Sequence, residues 1–411
     1  MWPITLFDGI NNPGNDEIKY YYPTSTLVTG PDIIFFWVAR MIMAGYEYVG
    51  KQPFNNVYFT GIVRDSIGRK MSKSLGNSPD PLDLIATFGA DGVRMGMMLA
   101  APAGNDIMYD DKRCETGRNF CNKIWNSFRL IAGWDADDSL KQPDVNATAA
   151  RWMRSRISAT MAEVNDCFEK FRLNEALMAV YRLFRDDFSG TYLEMVKPAY
   201  QQPVDGTTLR ATNEFFDELL RMLHPFMPFI TEELWQHLAD RRPGESIMYA
   251  PMPAVGEIDE KLLAAMAVAQ EVVGGVRAVR AKKNIPAKEA LDLLVLGQLD
   301  SSVHGVVCKL ANVANITENA AKDPAAMSFL VGTTEYEVPM AASLDVDAEL
   351  ARLRKEHDYY TGFKASVEKK LANERFVSNA PAAVVDTERR KLADAEQKLA
   401  SIAASIAALE A

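Results

Sequence analysis

The stretch Gly68-Arg69-Lys70-Met71-Ser72-Lys73-Ser74-Leu75-Gly76-Asn77 lies between an apolar segment, 57–63, that predicts a β-strand and a helix predicted to begin near Pro81. Its two lysines stand between two glycines, which permit backbone conformations that other residues resist. A mobile cationic loop of this kind suits a polyphosphate, and Ser72 and Ser74 add hydroxyl donors. Most Lys/Ser-rich turns are only solvated basic loops, but the strand–loop–helix setting favours phosphate binding.

A second apolar strand is predicted upstream of this loop. Thr26-Leu27-Val28-Thr29 predicts a strand that ends at Gly30, and a helix from Ile33 to Ala44, closed by Gly45, follows it. This helix is apolar nearly all round, so we expect it to be buried. Strand, helix and strand then form a βαβ unit with parallel strands. Ligands of such sheets bind beyond the carboxyl ends of the strands, which places Gly30 and the lysine loop at one edge.

Gly30 and the residues after it are candidates either for ligand contacts or for ordinary structural roles. Gly30 would let a ribose approach the backbone closely, and Asp32 could accept hydrogen bonds from its hydroxyls. Asp32 is equally typical of a helix N-cap. Ile33 and Trp37 lie on one helix face, and periodicity alone predicts that both are ordinary core residues.

Composition predicts a soluble cytoplasmic protein. The chain has 411 residues, 48% hydrophobic and 24% charged, so about two to four globular domains are expected. The net charge of −10 argues against a general nucleic-acid binder but allows a basic face. Four cysteines without CxxC spacing indicate a reduced compartment, and no metal site is predicted. No signal peptide is expected, and the apolar run Ile33–Met43 is too short to span a bilayer.

Downstream of the loop the pattern becomes helical. Helices are predicted over 83–88, 92–101, 112–134, 147–170, 173–197, 207–223 and 231–238. Asp91 and Thr231 are the predicted N-caps of the second and the last of these. Residues 102–106 are predicted to be a linker out of the first domain.

The last third of the chain changes character twice. Residues 256–342 predict a small α+β module, with a helix over 258–280, strands over 291–296 and 336–339, and a helix near 301–312. The cluster Arg277, Arg280, Lys282 and Lys283 could contact phosphates or complement the dipole of its own helix. From Asp345 onward, apolar residues spaced by three, four and seven predict two long helices, which Pro381 separates into an antiparallel hairpin.

The pentamer Lys70-Met71-Ser72-Lys73-Ser74 resembles the signature loop of class I aminoacyl-tRNA synthetases. The wider run, from 32–41 through 61–65 to 74–77, is similar to the bacterial valyl-tRNA synthetases, and the likeness extends over essentially the whole chain. The family's other signature, a His-Ile-Gly-His-type motif, is missing, since only His224, His237, His304 and His357 exist. The resemblance implies a C-terminal fragment of a longer enzyme, with that motif and the editing domain upstream of residue 1.

The resemblance also implies a fold class: mainly α with an N-terminal α/β part. Residues 1–108 would be the second half of a Rossmann-like catalytic domain, and 109–255 an anticodon-binding helical bundle. Residues 256–342 would be a small α+β linker module, and 343–411 a coiled-coil tRNA-binding arm. The isoleucine enzyme lacks such an arm, which favours valine within the group.

Residue roles follow from the same resemblance. Lys70 and Lys73 would be catalytic, because a preorganised cation stabilises the negative charge that moves onto the departing pyrophosphate. The ATP- or adenylate-binding set would comprise Gly30, Asp32, Lys70, Met71, Ser72, Lys73 and Ser74. Ile33 and Trp37 match positions that wall the valine pocket. Candidate tRNA contacts are Arg118, Lys123, Arg129, Lys369, Lys370 and Arg375, although a solvated polar face has the same pattern.

The expected function is ATP-dependent activation of valine to valyl-adenylate and its transfer to tRNA(Val). ATP and Mg²⁺ would be the cofactors, and the missing N-terminal part of the same enzyme would be a partner. We expect a monomer that binds no membrane and is inactive alone, because half of its nucleotide-binding sheet is missing. One alternative is a stand-alone tRNA-binding module with a vestigial nucleotide loop, which two phosphate-directed lysines disfavour. The other is an isoleucyl- or leucyl-tRNA synthetase, which the terminal hairpin disfavours.

Overall fold

The computed structural model describes residues 8, 11–12, 14–100, 104–340, 346–373 and 382–410. They divide into two compact units, Met1–Leu263 and Ala264–Ala411. About 61% of the chain is helical, so the expectation of a mainly α protein is confirmed.

The first unit carries three pairs of parallel strands and a set of helices. The paired strands are β1 (Thr24–Thr29) with β2 (Phe54–Phe59), β3 (Val63–Arg64) with β4 (Ile107–Met108), and β5 (Ala136–Asp137) with β6 (Val204–Asp205). The helices are α1 (Asp16–Tyr21), α2 (Ala39–Val49), α3 (Pro81–Phe88), α4 (Ala90–Leu99), α5 (Asp111–Ala132), α6 (Asp144–Glu169), α7 (Leu173–Arg182), α8 (Leu193–Val196), α9 (Gly206–Leu223) and α10 (Pro228–Leu238).

The parallel pairing predicted for the first two strands is present, with Thr29 opposite Phe59. The predicted bounds 57–63 are wrong, because β2 already ends at Phe59 and β3 begins a new pair. Between them, a Cβ added at Gly61 would lie 1.7 Å from the carbonyl oxygen of Asn105. This close backbone approach ends the first ladder. Residues 104–106, which belong to the predicted linker 102–106, are irregular and lead directly into β4.

The helix predicted from Ile33 to Ala44 is built of three parts. A 3₁₀ turn, Pro31–Ile33, leads into a π-helix, Ile34–Val38, and then into α2. The prediction that Gly45 ends this helix is wrong. Gly45 is buried within α2, where an added Cβ would lie 2.8 Å from the Tyr22 hydroxyl oxygen. The helix ends at Gly50, whose φ of 75° is the left-handed conformation of a C-cap.

The expectation that this helix is buried is also wrong for the described chain. Phe35 is 85% exposed, Phe36 62% and Trp37 56%, whereas Val38 is buried. An apolar pattern on all sides predicts cover on all sides. The described residues cover only one side of the helix, so a contiguous aromatic surface remains in solvent.

Helices α4 and α5 pack at glycines. A Cβ added at Gly117 would lie 2.3 Å from the carbonyl oxygen of Gly92, so only glycine allows this backbone contact. Behind it, the core of the helical bundle is aromatic. The Phe184 ring lies 5.6 Å from Phe120 and 6.0 Å from Phe216 between ring centroids. The segment predicted as one helix over 173–197 is α7, a π-helix over Leu183–Tyr192, and α8.

Two predicted N-caps are wrong. Asp91 lies inside α4, which Gly89 precedes, and its carboxylate accepts hydrogen bonds from the N–H groups of Phe229 and Ile230 in α10. Thr231 lies inside α10, where its hydroxyl donates to the carbonyl oxygen of Met227 over 2.7 Å. A residue four positions into the helix cannot also be its cap. The backbone N–H groups in the first turn of α10 instead donate to Asp91 of α4.

The second unit contains most of α11 (Glu260–Lys283) and a four-stranded sheet. The strands are β7 (Leu291–Val295), β8 (Val313–Glu318), β9 (Met327–Val331) and β10 (Thr334–Val338). Their order in the sheet is β8-β7-β10-β9, and α12 (His304–Ala311) connects β7 to β8. Strands β7 and β8 are parallel, and the other pairs are antiparallel. The α+β character was predicted, but β8 and β9 were missed.

Helix α11 is the one described helix long and apolar enough to cross a membrane by length and composition. A core helix of a folded domain passes the same test. A Cβ added at Gly275 would lie 2.2 Å from the Phe329 ring, so α11 packs closely on β9. Arg280 near its end is buried and donates to the carbonyl oxygens of Pro286, Ala311 and Asn312. Arg280 is therefore a packing residue rather than a phosphate contact.

The chain ends in two long helices, α13 (Val346–Leu371) and α14 (Ala382–Glu410). The Lys398 ammonium donates to the Tyr360 hydroxyl over 2.8 Å, and Lys364 lies 2.9 Å from Glu396. Lys370 lies 3.7 Å from Glu388. The residue numbers of the partners therefore decrease along α14 as those in α13 increase. This order shows that the hairpin is antiparallel, as predicted.

Candidate functional site

The structure brings Gly30 beside the segment that leads to the lysine loop. Thr60 donates its backbone N–H to the carbonyl oxygen of Thr29 over 2.9 Å, so β1 and β2 end at the same edge. A Cβ added at Gly30 would lie 2.9 Å from Cδ1 of Ile62. Gly30 therefore allows a close approach, although the neighbour in this structure is Ile62.

A network around Asp65 and Asn77 holds the lysine loop. The Asp65 carboxylate is buried and accepts from the N–H groups of Ile67 and Arg69, the Arg69 guanidinium and the Asn77 amide. The Asn77 amide also donates to the carbonyl oxygen of Lys70 and accepts from the N–H of Ser72. These hydrogen bonds, led by that from Asn77, hold the pKa of Asp65 well below its usual range.

Within this frame the loop turns tightly. Ser72 and Ser74 share a hydrogen bond of 3.2 Å between hydroxyl oxygens, and the Ser72 hydroxyl accepts from the N–H of Leu75. Lys73–Leu75 form a 3₁₀ turn, and Gly76 follows with a φ of 61°. The hydroxyls are thus partly occupied by the loop's own bonds.

The cations of the loop differ in their partners. Arg64 is paired with Asp106, and Arg69 lies 2.7 Å from Asp65. Lys70 is exposed and forms no ion pair with any side chain in the described ranges. Among the described side chains of this group, Lys70 is therefore the one whose charge an anionic ligand can neutralise. The loop thus fits a phosphate chain at Lys70 better than at either arginine.

In the structure Asp32 is not a helix N-cap, and Ile33 and Trp37 are not core residues. Gly30 is the N-terminal cap residue of the 3₁₀ turn, and Asp32 lies within the turn with its side chain exposed. Ile33 is 40% exposed and Trp37 56%, so neither is a core residue of the described chain. The Arg40 guanidinium lies 5.8 Å from the centroid of the Trp37 ring. All three candidate ligand contacts are accessible.

The candidate tRNA contacts are divided between the two long helical regions. On α5, Arg118 lies 3.5 Å from Glu115, and Arg129 is exposed near the helix end. Helical geometry places these two arginines on nearly the same side, about 16 Å apart, with Lys123 roughly 140° around the helix from Arg118. The structure thus separates Lys123 from the arginine pair.

The remaining candidates belong to the hairpin. Lys369 and Lys370 are exposed near the end of α13, and Lys370 is within ion-pair distance of Glu388. Arg375 lies outside the described residues. Two basic side chains thus stand at the described limit of α13.

No group of His, Cys, Asp or Glu side chains that could hold a metal ion is found in the described part of the chain. Cys114 and Cys121 lie on α5, with Cys114 buried, and burial raises the pKa of the Cys121 thiol to about 12. These thiols are suited to packing rather than to metal binding or nucleophilic chemistry.

Sequence reasoning missed the residues that position the site. Asn77 ends the quoted run 68–77 and Asp65 lies three positions before it, but nothing in the spacing indicates that they bond each other. Arg94 donates to the carbonyl oxygens of Pro225 and Phe226, and with Asp91 it joins α4 to the corner before α10. The signal that the sequence offers for this junction is an acid, Asp91, that is followed one helical turn later by a base, Arg94.

Three family models match separate segments of the chain. The family model "tRNA synthetases class I (I, L, M and V)" matches residues 3–110, and "Anticodon-binding domain of tRNA ligase" matches 150–295. "Valyl tRNA synthetase tRNA binding arm" matches residues 345–410. The lysine loop and the described part of the hairpin thus fall in matched segments, and so does the bundle apart from α5 and the start of α6.

The whole chain is similar to one group of enzymes. It is 62% identical over 409 residues to the valine–tRNA ligase of Parabacteroides distasonis, and 59% identical over 411 residues to that of Phocaeicola vulgatus. The chain is similar over its whole length to valine–tRNA ligases. Each alignment covers 100% of this chain and 47% of the relative, so the chain spans about half the length of the valine–tRNA ligases that it matches.

A solved structure also matches the chain. The crystal structure of the ternary complex of Agrobacterium radiobacter K84 LeuRS, tRNA and LeuAMS is 22% identical, with a TM-score of 0.45. The match covers 64% of this chain and 32% of that chain.

Proposed function

We propose that this chain is the part of a valine–tRNA ligase that supplies the lysine loop, the anticodon-binding bundle and the tRNA-binding arm. The enzyme would activate valine with ATP to valyl-adenylate and transfer the valyl group to tRNA(Val). The observation that carries the proposal is the 62% identity over 409 residues, which spans all three segments.

The lysine loop would act on the departing pyrophosphate. Negative charge moves onto the pyrophosphate as the valine carboxylate attacks ATP, and a fixed cation lowers the free energy of that transition state. Lys70 is exposed and, within the described ranges, unpaired, whereas Arg64 and Arg69 are neutralised by aspartates. We assign this role to Lys70 and Lys73, with Met71, Ser72 and Ser74 lining the ATP site.

Mg²⁺ would be held chiefly by ATP. Protein Mg²⁺ sites in nucleotide enzymes combine phosphate oxygens and water with few carboxylates. The described residues offer no cluster that could hold the ion by itself, which fits this arrangement. Bound Mg²⁺ would share the neutralisation of phosphate charge, and the lysines would orient the phosphates.

Gly30 and Asp32 would hold the adenylate, and Ile33 and Trp37 would wall the valine pocket. Gly30, Asp32 and Ile33 lie at the strand edge or on the exposed turn that follows it, and Trp37 lies in the π-helix after that turn. The exposed rings of Phe35, Phe36 and Trp37 support a partner that covers this surface. Because the chain spans 47% of its relatives, we assign that cover to the N-terminal part of the same enzyme.

The bundle and the hairpin would bind tRNA(Val). Their family models are described by anticodon binding and tRNA binding, respectively. We assign phosphate contacts to Arg118, Lys123, Arg129, Lys369, Lys370 and Arg375. The domain bounds 1–108, 109–255, 256–342 and 343–411, a monomeric state and a cytoplasmic location belong to the same proposal.

The deciding experiment measures valine-dependent exchange of pyrophosphate into ATP. We expect exchange when the chain is joined to its N-terminal part, and none for the 411-residue chain alone. Exchange with isoleucine or leucine in place of valine would contradict the assigned substrate. Binding of tRNA(Val) by the chain, with no exchange by the joined protein, would favour the stand-alone tRNA-binding module.

A further inference from the structure

We infer that Asp65 and Asn77 form a positioning pair that fixes the backbone of Lys70–Ser72, so that the lysine loop is preset for a polyphosphate. This inference rests on the proposed function and deepens it. Neither side chain needs to touch the ligand, because each acts through the backbone that carries the lysines.

Asp65 forms one side of the pair. Its Oδ1 accepts from the N–H of Arg69 over 2.8 Å and from the N–H of Ile67 over 3.2 Å. Its Oδ2 accepts from the Arg69 guanidinium over 2.7 Å and from the Asn77 amide over 2.9 Å. A carboxylate offers about four acceptor positions, so Asp65 has its capacity filled.

Asn77 forms the other side and spans the loop. Its Nδ2 donates both to Asp65 and, over 3.2 Å, to the carbonyl oxygen of Lys70. Its Oδ1 accepts from the N–H of Ser72 over 2.9 Å. One amide thus joins the acid at the base of the loop to the backbone on both sides of Met71. Only an amide can donate and accept in this way.

Apolar packing is a weak source of order in the loop. Among the described side chains of residues 65–80, Asp65 is the only buried one, and Leu75 is 61% exposed. Apolar packing therefore cannot hold the backbone in one conformation. Backbone hydrogen bonds close the turn 65–69, and the hydrogen bonds of Asn77 extend this order to Lys70 and Ser72, as a preset cationic site requires.

A plainer possibility is that the two residues only close a turn, with no effect on the lysine segment. Hydrogen exchange of backbone amides separates the two, measured by mass spectrometry on the 411-residue chain. The variant is Asn77→Asp, which keeps the acceptor for Ser72 but loses both donors and places a carboxylate beside Asp65. The matched control is Asn55→Asp, the same change at an exposed position at the start of β2.

We expect the amides of residues 69–72 to exchange about tenfold faster in Asn77→Asp, since loss of the two hydrogen bonds that the Asn77 amide donates changes an opening equilibrium by about that factor or more. The Asn55→Asp control should exchange as wild type does. Unchanged exchange over 69–72 in Asn77→Asp would overturn the inference. Asp65→Asn is the second variant, and its effect should not add to that of Asn77→Asp if the residues act as a pair.

Kinetics then test whether the order matters for the reaction. In the enzyme completed by its N-terminal part, Asn77→Asp should lower kcat for pyrophosphate exchange by about 10- to 100-fold, with KM for valine unchanged. Equal kcat in variant and wild type would overturn the positioning role. Absence of valine-dependent exchange in the wild-type enzyme would instead refute the proposed function, and the amide exchange would still decide whether the pair orders the loop.

Discussion

The Asp91 carboxylate accepts a hydrogen bond of 2.7 Å from the backbone N–H of Ile230, although 139 positions separate them in sequence. The same carboxylate accepts from the N–H of Phe229, so it occupies the N-terminal end of α10. One turn further along α4, Arg94 donates to the carbonyl oxygens of Pro225 and Phe226. The acid thus meets free N–H groups and the base meets free carbonyls, as the polarity of helix ends requires. This junction ties the helices after the lysine loop to the bundle.

Asp91→Ala should destabilise the first unit. The substitution leaves two N–H groups without their acceptor and removes a cap, at a cost of about 2 kcal/mol. For a unit of this size the melting temperature should fall by about 4–8 °C. Thermal unfolding followed by circular dichroism measures it, with Asp83→Asn, an exposed acid in the first turn of α3, as the control. A melting temperature within about 1 °C of wild type would show that the junction carries no free energy.

Asp91→Asn should change how stability depends on pH. Burial raises the pKa of Asp91 in spite of the hydrogen bonds from Ile230 and Phe229 and the nearby charges of Arg94 and His224. A raised folded-state pKa means that the ionised form is disfavoured, so wild type loses stability as pH rises through that pKa. Asn cannot titrate. The melting temperature of wild type minus that of Asp91→Asn should therefore fall as pH rises above about 4, the ordinary pKa of an aspartate. A difference that grows with pH would contradict the stated effect of burial.

Two adjacent glycines of α11 should respond in opposite directions to alanine. A Cβ at Gly275 would lie 2.2 Å from the Phe329 ring, which stacks on Tyr336 at 5.5 Å and cannot withdraw freely. Gly275→Ala should therefore cost about 1–3 kcal/mol. Gly274 has no atom within 4 Å of an added Cβ, so Gly274→Ala should add about 0.5–1 kcal/mol through helix propensity. Melting temperatures of the two variants measure the contrast, and a shift in the same direction for both would refute it.

The sequence correctly predicted elements that residues close to one another in the chain stabilise. It did not predict features that depend on residues far apart in the chain. The pattern after Asp80 predicted α3 and its end at Gly89, because the glycine and the periodicity act within a few residues. Asp91 and Thr231 were misassigned as caps of their own helices, since short-range rules cannot detect an acceptor that comes from another helix. The exposure of Phe35 and Trp37 could not be predicted either. Hydrophobicity indicates that a surface needs cover, but not whether the chain in hand supplies it.

The candidate site divides in the same way. Lys70 and Lys73 are predicted to bind phosphate from their position between two glycines, which is a property of the loop itself. Asp65 and Asn77 lie twelve positions apart and are joined by a side-chain hydrogen bond that has no periodic signal. Residues that hold a site in place are therefore harder to read from one sequence than residues that face a ligand.

Lys70→Ala and Lys73→Ala should each slow adenylate formation in the enzyme completed by its N-terminal part. Loss of one fixed cation at a developing charge should lower kcat for pyrophosphate exchange by about 10²–10³-fold, with a small change in KM for valine. Lys141→Ala, at an exposed loop position of the first unit, is the control. Should either lysine variant keep wild-type kcat, that lysine does not act on the departing pyrophosphate.

Lys369→Ala combined with Lys370→Ala should weaken binding of tRNA(Val) by the 411-residue chain. Both lysines are exposed near the end of α13, and Glu388 lies 3.7 Å from Lys370, so the pair is accessible but partly compensated. Each phosphate contact contributes about 0.9 to the slope of log K against log salt, so the slope should decrease in magnitude by about 2. Filter binding at several salt concentrations measures it, with Lys261→Ala combined with Lys288→Ala, two exposed lysines outside the hairpin, as the control. An unchanged slope in the hairpin variant, or an equal loss in the control, would mean that the hairpin lysines do not contact the tRNA backbone. The hairpin would then need another role, such as dimerisation through its apolar seam.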